Sequence, residues 1–360
     1  MTEFCCSTRI IAGSGSLEAL QKMNARRLLV VTDPFFAKNG TAQRLAETSG
    51  AARWEIFDRV APDPSVELAA LGTARVREFD PDVMVALGGG SAMDCAKAML
   101  YFSESNARLV AVPTTSGSGS EVTDFAILTH NGTKHPLVDP RLRPAVAILD
   151  DALLRELPKG LIADTGFDVL AHALEALAAT GAGAVTDALA TDAFCTTFML
   201  LPESYRGSQQ ARLPIHQAAT MAGMAFTQAG LGLCHAMSHS LGGLYHVPHG
   251  RLNAILLPSV VEFNASSVGE KYARLASAAG MGSGAEKMAL RNLKNALVRL
   301  RRYLELPEDL AQAGVSPRQV RQDTAKILEA VLADPCCATN PVPVTADGVR
   351  AVLSEVTGRG

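Results

Sequence analysis

The chain is 360 residues long, more than one hydrophobic core usually organises, so two domains are expected. Its 33 basic and 36 acidic residues leave a net charge of -3, and no Lys/Arg block marks a nucleic-acid or membrane surface, which favours a small, near-neutral partner. Neither a basic-then-apolar leader in MTEFCCSTRIIAGSGS nor an apolar run long enough for a membrane helix is present, so the expected location is the cytoplasm, where the seven cysteines, without a C-x-x-C pair, read as reduced thiols.

From the amino terminus to about residue 157 the pattern alternates. Strand-like RRLLVVTD, DVMVALGG, RLVAVPT and AVAILD are separated by helix-like segments such as SVELAALGTARVREF and SAMDCAKAML. Alternating β and α segments with β-branched strands predict a doubly wound parallel sheet, an α/β domain of Rossmann-like type over residues 1–157. After Leu157-Pro158 the strands stop, and residues 158–360 read as an all-α domain rich in Ala and Leu. Leu290, Leu293, Leu297, Leu300 and Leu304 carry the 3-and-4 spacing of one buried helical stripe. The stretch AATGAGAVTDALATD, 178–192, reads as a loop between helices.

Two loops in the first half suit a phosphate-bearing ligand. In DVMVALGGGSAMD a strand runs into Gly88, Gly89, Gly90 and Ser91 and then a helix, where glycines permit close backbone approach and the helix start offers free N–H groups. The alternative is a tight turn capped by Ser91. VPTTSGSGSEVT, 112–123, follows another strand and offers Thr114, Thr115, Ser116, Ser118 and Ser120 as hydroxyl donors; two such loops at strand ends fit a dinucleotide across the sheet edge. Asp33, ending LLVVTDP, is either an acceptor for an adenosine ribose or a turn former before Pro34. Cys95, near a helix start, reads as somewhat reactive.

The second half concentrates histidine. Four of the eight, His235, His239, His246 and His249, fall in HAMSHSLGGLYHVPH. Residues four apart share a helix face, so Asp168 and His172 in DVLAHALEA form one two-ligand edge and His235 and His239 another, with His249 in a loop after Pro248. One carboxylate and three imidazoles make a mixed O/N site for a borderline ion such as Fe2+ or Zn2+. A bound ion would balance a carboxylate otherwise expensive to bury. Glu175, three residues after His172, is either a partner supporting the ligands or a solvated helix residue, the latter being preferred, and Cys234 is read as a small core residue.

The segments GGGSAMDCAKA, PTTSGSGSEVT, TGFDVLAHALEA, HAMSHSLGG, NAILLPSVVEFN and TNPVPVTADGVRAVL resemble the iron-containing (group III) alcohol dehydrogenases along the whole chain. TRIIAGSGSLEAL, GMAFTQAGLGLCHAMSHSLGG and HVPHGRLNAILL look like the 1-propanol dehydrogenase branch found in propanediol-utilisation microcompartments. The resemblance implies Asp168, His172, His235 and His249 as metal ligands and His239 as a proton-relay or nicotinamide-side catalytic residue. It places Asp33, Gly88, Gly89, Gly90, Ser91, Asp94, Thr114, Thr115, Ser118 and Lys134 along NAD. It further implies NAD(H)-linked interconversion of short aldehydes and primary alcohols, propionaldehyde and 1-propanol foremost. The implied setting is a homo-oligomer, a dimer, working inside a microcompartment beside an aldehyde-forming enzyme or aldehyde dehydrogenase and shell proteins, with any packaging resting on MTEFCCS or surface contacts. Two positions depart from the family: Ser240 replaces a common proline, and Asp63 a common asparagine. The alternatives are a glycerol dehydrogenase-like polyol enzyme, against which His172 argues, and a non-catalytic metal-binding microcompartment component, against which the intact glycine loops argue.

Overall fold

The computed structural model describes residues 4–130, 133–282 and 284–358. They form two compact units, one of Cys5–Leu157 and one running from Pro158 onward and including Phe4.

The first unit contains strands β1 (Arg9–Ala12), β2 (Arg27–Thr32), β3 (Arg53–Phe57), β4 (Val83–Gly88), β5 (Arg108–Pro113), β6 (Phe125–His130), β7 (Thr133–Val138) and β8 (Val146–Leu149). Six of them make a wholly parallel sheet in the order β1-β8-β5-β4-β2-β3. The doubly wound α/β expectation is correct. Strands buried on both faces read as continuous apolar runs, and the pleat sorts them. Leu29, Val31, Met84 and Ala86 point to one face and pack with Val76, Met93 and Met99, while Leu28, Val30, Val83 and Val85 point to the other and meet Leu20 and Leu45. Helices α2 (Thr41–Thr48), α3 (Val66–Phe79) and α4 (Gly90–Ser103) and the 3-10 segment Ser16–Met23, which carries Leu20, supply these partners, and the short α1 (Pro34–Lys38) follows β2.

Two features of this unit were not legible in the sequence. β3, RWEIF, lies at the sheet edge with Glu55 in its middle, so it lacks the apolar run of its neighbours. β6 and β7 pair antiparallel as a separate hairpin. Chain order explains where a ligand fits this sheet. β2 leads outward to β3, whereas β4 lies on its other side and leads to β5, so the connections diverge between β2 and β4. Crevices at such reversals, beyond the carboxyl ends of the strands, are where open α/β sheets bind ligands.

The second unit is helical: α5 (Lys159–Ala178), α6 (Ala184–Tyr205), α7 (Arg212–Ala229), α8 (Leu233–Tyr245), α9 (His249–Ala278), α10 (Glu286–Tyr303), α11 (Pro317–Ala333) and α12 (Ala346–Val356). The loop expected over 178–192 is a correction: only residues 179–183 are non-helical there, and Thr186 starts α6 by exchanging hydrogen bonds with Gly183. The leucine stripe of α10 faces inward, with Leu293, Leu297, Leu300 and Leu304 buried. Among the described residues α6 alone is long and apolar enough, by length and composition, to cross a membrane; it packs on α5 and α7.

Candidate metal centre and nucleotide loops

The helical unit brings Asp168 of α5, His235 of α8 and His249 of α9 together, with one ligand-type atom from each lying within 4.8 Å of the others. Asp168 Oδ1 lies 3.8 Å from His235 Nε2 and 3.5 Å from His249 Nε2. His172, one turn along α5, has its Nε2 3.9 Å from the same oxygen, and its ring stacks between His235 and Phe226 at 4.5 and 4.4 Å. His172 Nδ1 is buried without a hydrogen-bond partner. His249 is a correction in detail: it opens α9 rather than lying in a loop, with Pro248 before it as cap. His246 ends α8 in a left-handed conformation and stands outside the cluster.

Helix ends explain this geometry. The first amides of α8 have no intrahelical acceptors, and its cap, Gly232, has no side chain to offer. Glu175 Oε1 accepts from Cys234 N at 2.6 Å, Glu175 Oε2 from His235 N at 3.3 Å, and Asn340 Oδ1 from Leu233 N at 3.0 Å. A Cβ at Gly232 would lie 2.6 Å from Asn340 Oδ1 and 2.9 Å from Glu175 Oε1, so only glycine admits both side chains. Glu175 Oε2 also accepts from His235 Nδ1 at 2.5 Å, which fixes that ring and leaves Nε2 as a bare lone pair facing Asp168. Glu175 is therefore a correction: it is buried, and it holds the site together. Burial pushes its carboxyl up to about 7, against the backbone donors that favour the charged form. The other side of the cluster is set by α9 pressing on α5. A Cβ on Gly250 would fall 2.0 Å from the Asp164 carbonyl oxygen, and Arg251 grips the Asp164 carboxylate with two hydrogen bonds of 3.1 and 3.0 Å.

The donor set fits a divalent ion. Burial drives His235 and His249 well below the ordinary histidine value, so both are neutral with lone pairs available. Asn253 reports the same convergence: its Nδ2 donates to Asp168 Oδ1 at 2.8 Å and lies 3.2 and 3.5 Å from the Nε2 atoms of His249 and His235. Three acceptors aimed at one neutral amide N–H2 form a donor set that a borderline metal satisfies.

His239 sits beside this set, its ring stacked on His249 at 5.3 Å. Its Nδ1 is held by Asp334 Oδ2 at 2.8 Å. Burial raises the Asp334 carboxyl, but the hydrogen bond from His239 and that from Cys336 outweigh it, and Asp334 ends below its ordinary value. His239, Asp334 and Cys336 also form a close group of three. Neighbouring Ser240 continues α8 without a bend, its hydroxyl buried and unpartnered.

In the first unit the two small-residue loops press against each other. Gly88 has φ +150°, and Gly89, not Ser91, stands at the cap of α4, so the serine-capped turn is a correction. A Cβ on Gly89 would lie 3.1 Å from Thr115 Oγ1, one on Gly90 would lie 3.4 Å from Ser118 Oγ, and Thr114 N donates to Gly88 O at 3.0 Å. Asp33 Oδ1 accepts from Phe35 N at 2.8 Å and Phe36 N at 3.2 Å, the turn-forming role, while Oδ2 lies 3.8 Å from where a Gly88 Cβ would be. Asp33, Gly88–Gly90, Thr115 and Ser118 thus gather at the carboxyl ends of β2, β4 and β5. Asp94 follows on α4 and accepts from Ser120 Oγ at 3.2 Å, with burial pushing its carboxyl up to about 6. Lys134 pairs with Asp63 at 2.7 Å, and Asp63 takes a left-handed φ of 52°, a conformation that asparagine and aspartate share. Cys95 is a correction: it is fully buried, and burial pushes its thiol up to about 12.

Two family descriptions match the chain, iron-containing alcohol dehydrogenase over residues 7–151 and the C-terminal part of the Fe-containing alcohol dehydrogenase family over 162–357. The 1-propanol dehydrogenase PduQ of Salmonella typhimurium is 39% identical, covering 99% of this chain and 100% of its own. The NADPH-dependent butanol dehydrogenase of Clostridium saccharobutylicum is 34% identical over 99% of this chain and 98% of its own. A sulfoacetaldehyde reductase from Bifidobacterium kashiwanohense, solved in complex with NAD+, superposes with a TM-score of 0.91 at 25% identity and covers 100% of both chains. The chain belongs to the iron-containing alcohol dehydrogenase family and is an oxidoreductase.

Glu175 gives the sharpest test of the α8 terminus. Glu175→Ala leaves two amides and His235 Nδ1 without their acceptor, so metal affinity should fall about 10–100-fold and stability by about 1–3 kcal/mol, read by chelator competition and a denaturation midpoint. Unchanged metal affinity would show that His235 needs no such support.

Proposed function

We propose that this chain reduces short aldehydes to primary alcohols with NADH, propionaldehyde to 1-propanol foremost, using residues 158–360 as a metal-binding catalytic domain and residues 1–157 as a dinucleotide-binding domain. The convergence of Asp168, His235 and His249 on one point, with His172 beside them, carries the reading. These four residues are the proposed ligands. A bound Fe2+ supplies Lewis acidity toward a carbonyl or alcohol oxygen, and the nicotinamide supplies or accepts the hydride.

The protein's own residues orient and hold protons. Glu175 fixes the His235 tautomer, Asn253 donates to Asp168, and Asp334 accepts a hydrogen bond from His239 Nδ1. His239 is thereby presented through Nε2 as the proposed proton relay, next to the ligands without being one of them. In the first unit Gly88–Gly90, Ser91, Thr114, Thr115 and Ser118 are the proposed phosphate and sugar contacts, with Asp94 and Lys134 further along the cofactor. Similarity to the 1-propanol dehydrogenase PduQ supports propanol as the product, and the proposed setting, the cytoplasm and within it a microcompartment with an aldehyde-forming partner and shell proteins, rests on the resemblance of the sequence segments to that branch.

The direct test is a substrate panel on Fe2+-reconstituted enzyme. Propionaldehyde with NADH should exceed glycerol with NAD+ by at least about tenfold in kcat/KM, a transition-state difference of about 1.4 kcal/mol. A preference for glycerol would move the chain to polyol chemistry.

The relay role of His239 separates from ligation in one variant. His239→Ala should retain its iron but lose about 10²–10⁴-fold in rate, with an altered pH–rate profile. Loss of iron would make His239 a ligand.

Cofactor choice falls to Asp33. Its free Oδ2 would accept from a ribose hydroxyl and repel a 2′-phosphate, giving NADH a preference above about tenfold. Asp33→Gly should relax that preference mainly by improving NADPH use. An unchanged ratio would leave Asp33 with only its cap to α1.

A further inference from the structure

We propose that Lys97 is a positioning residue for the cofactor: through Ser120 and Thr123 it locks the 114–123 loop to α4 and sets the Asp94 carboxylate. The proposal rests on the reading of these loops as the dinucleotide site. Lys97 is wholly buried, yet every proton of its ammonium is used. Nζ donates to Ser120 Oγ at 2.9 Å, Thr123 Oγ1 at 2.8 Å and Phe125 O at 2.9 Å.

Ser120 transmits this grip. Its hydroxyl accepts from Lys97 and donates to Asp94 Oδ1 at 3.2 Å, so Asp94 and Lys97, three apart on α4, close a ring of contacts through the loop. Asp94 therefore does not choose its own direction.

The lysine is costly where it stands. Burial pulls the amine down to about 8, opposed by the nearby charges of Asp94, Glu121 and Asp124, while Arg143, bonded to Asp124 at 2.6 Å, adds to the fall. An apolar chain of similar length would fill the same space without that penalty. What only an ammonium supplies is three donors in a fixed fan, tying one helix to three points on the segment 120–125. That segment continues directly from Thr115 and Ser118, which stand 3.1–3.4 Å from the Cβ positions of Gly89 and Gly90. A slack loop would therefore change the spacing to the glycine turn, where the cofactor phosphates would sit.

The experiment uses the full-length, iron-loaded protein and NADH as probe. Lys97→Met should raise the NADH dissociation constant about tenfold or more, and Ser120→Ala by a smaller factor, with iron content and the aldehyde KM at saturating NADH unchanged. Because both act through one contact chain, the double variant should bind NADH no worse than Lys97→Met alone. Wild-type NADH affinity in Lys97→Met, or effects that simply multiply in the double variant, would overturn the proposal. Should Lys97→Met fail to fold, Ser120→Ala decides: an unchanged NADH dissociation constant overturns it. Gly89→Val separates the two levels. If Gly89→Val loses NADH while Lys97→Met and Ser120→Ala do not, the positioning role is wrong; if Gly89→Val binds NADH like wild type, the dinucleotide reading falls and the proposal with it.

Discussion

A carboxylate and several imidazoles gathered in an apolar interior must be compensated, and the helical unit is organised around that need. Asp168 accepts a hydrogen bond from Asn253, His235 donates one to Glu175, and His239 donates one to Asp334, so these groups have defined partners while His172 Nδ1 has none. What these bonds leave over is a set of lone pairs pointing inward. Desolvation keeps His235 and His249 neutral, the form in which an imidazole ligates a cation. The same partners that make burial tolerable therefore prepare the chemistry.

In the α/β unit the constraint is closeness rather than charge. A Cβ on Gly89 would crowd Thr115 at 3.1 Å and one on Gly90 would already touch Ser118 at 3.4 Å, while Gly88 and Gly119 hold positive φ values of 150° and 64° that suit glycine. Behind this surface a buried cation and its acceptors hold the second loop. The two loops are thus shaped by opposite means, one by the absence of side chains and the other by a network of them.

The fold was legible because strands buried on both faces and amphipathic helices announce themselves by composition and period. RWEIF escaped because an edge strand with Glu55 at its centre has no such run. The candidate centre was legible in residue types at helical or clustered spacing: of Asp168, His172, His235 and His249, the structure draws Asp168, His235 and His249 into one group with His172 beside it. Glu175 was misread because a glutamate three residues after a histidine looks like any solvated helix position; its meaning comes from the amino end of α8, delivered from distant sequence. Asn253, Asp334 and Asn340 carry no local signature either, and their roles exist only across contacts between helices. Local spacing reveals ligand types, while the groups that orient them are set by tertiary packing.

The three converging side chains come from α5, α8 and α9, so the sequence between Asp168 and His249 forms one long loop closed at the proposed ion. An ion bridging those ends acts as a reversible cross-link, restricting the unfolded chain in the manner of a disulfide while being governed by free metal concentration. Thermal resistance of the helical unit should then track metal supply in the cell.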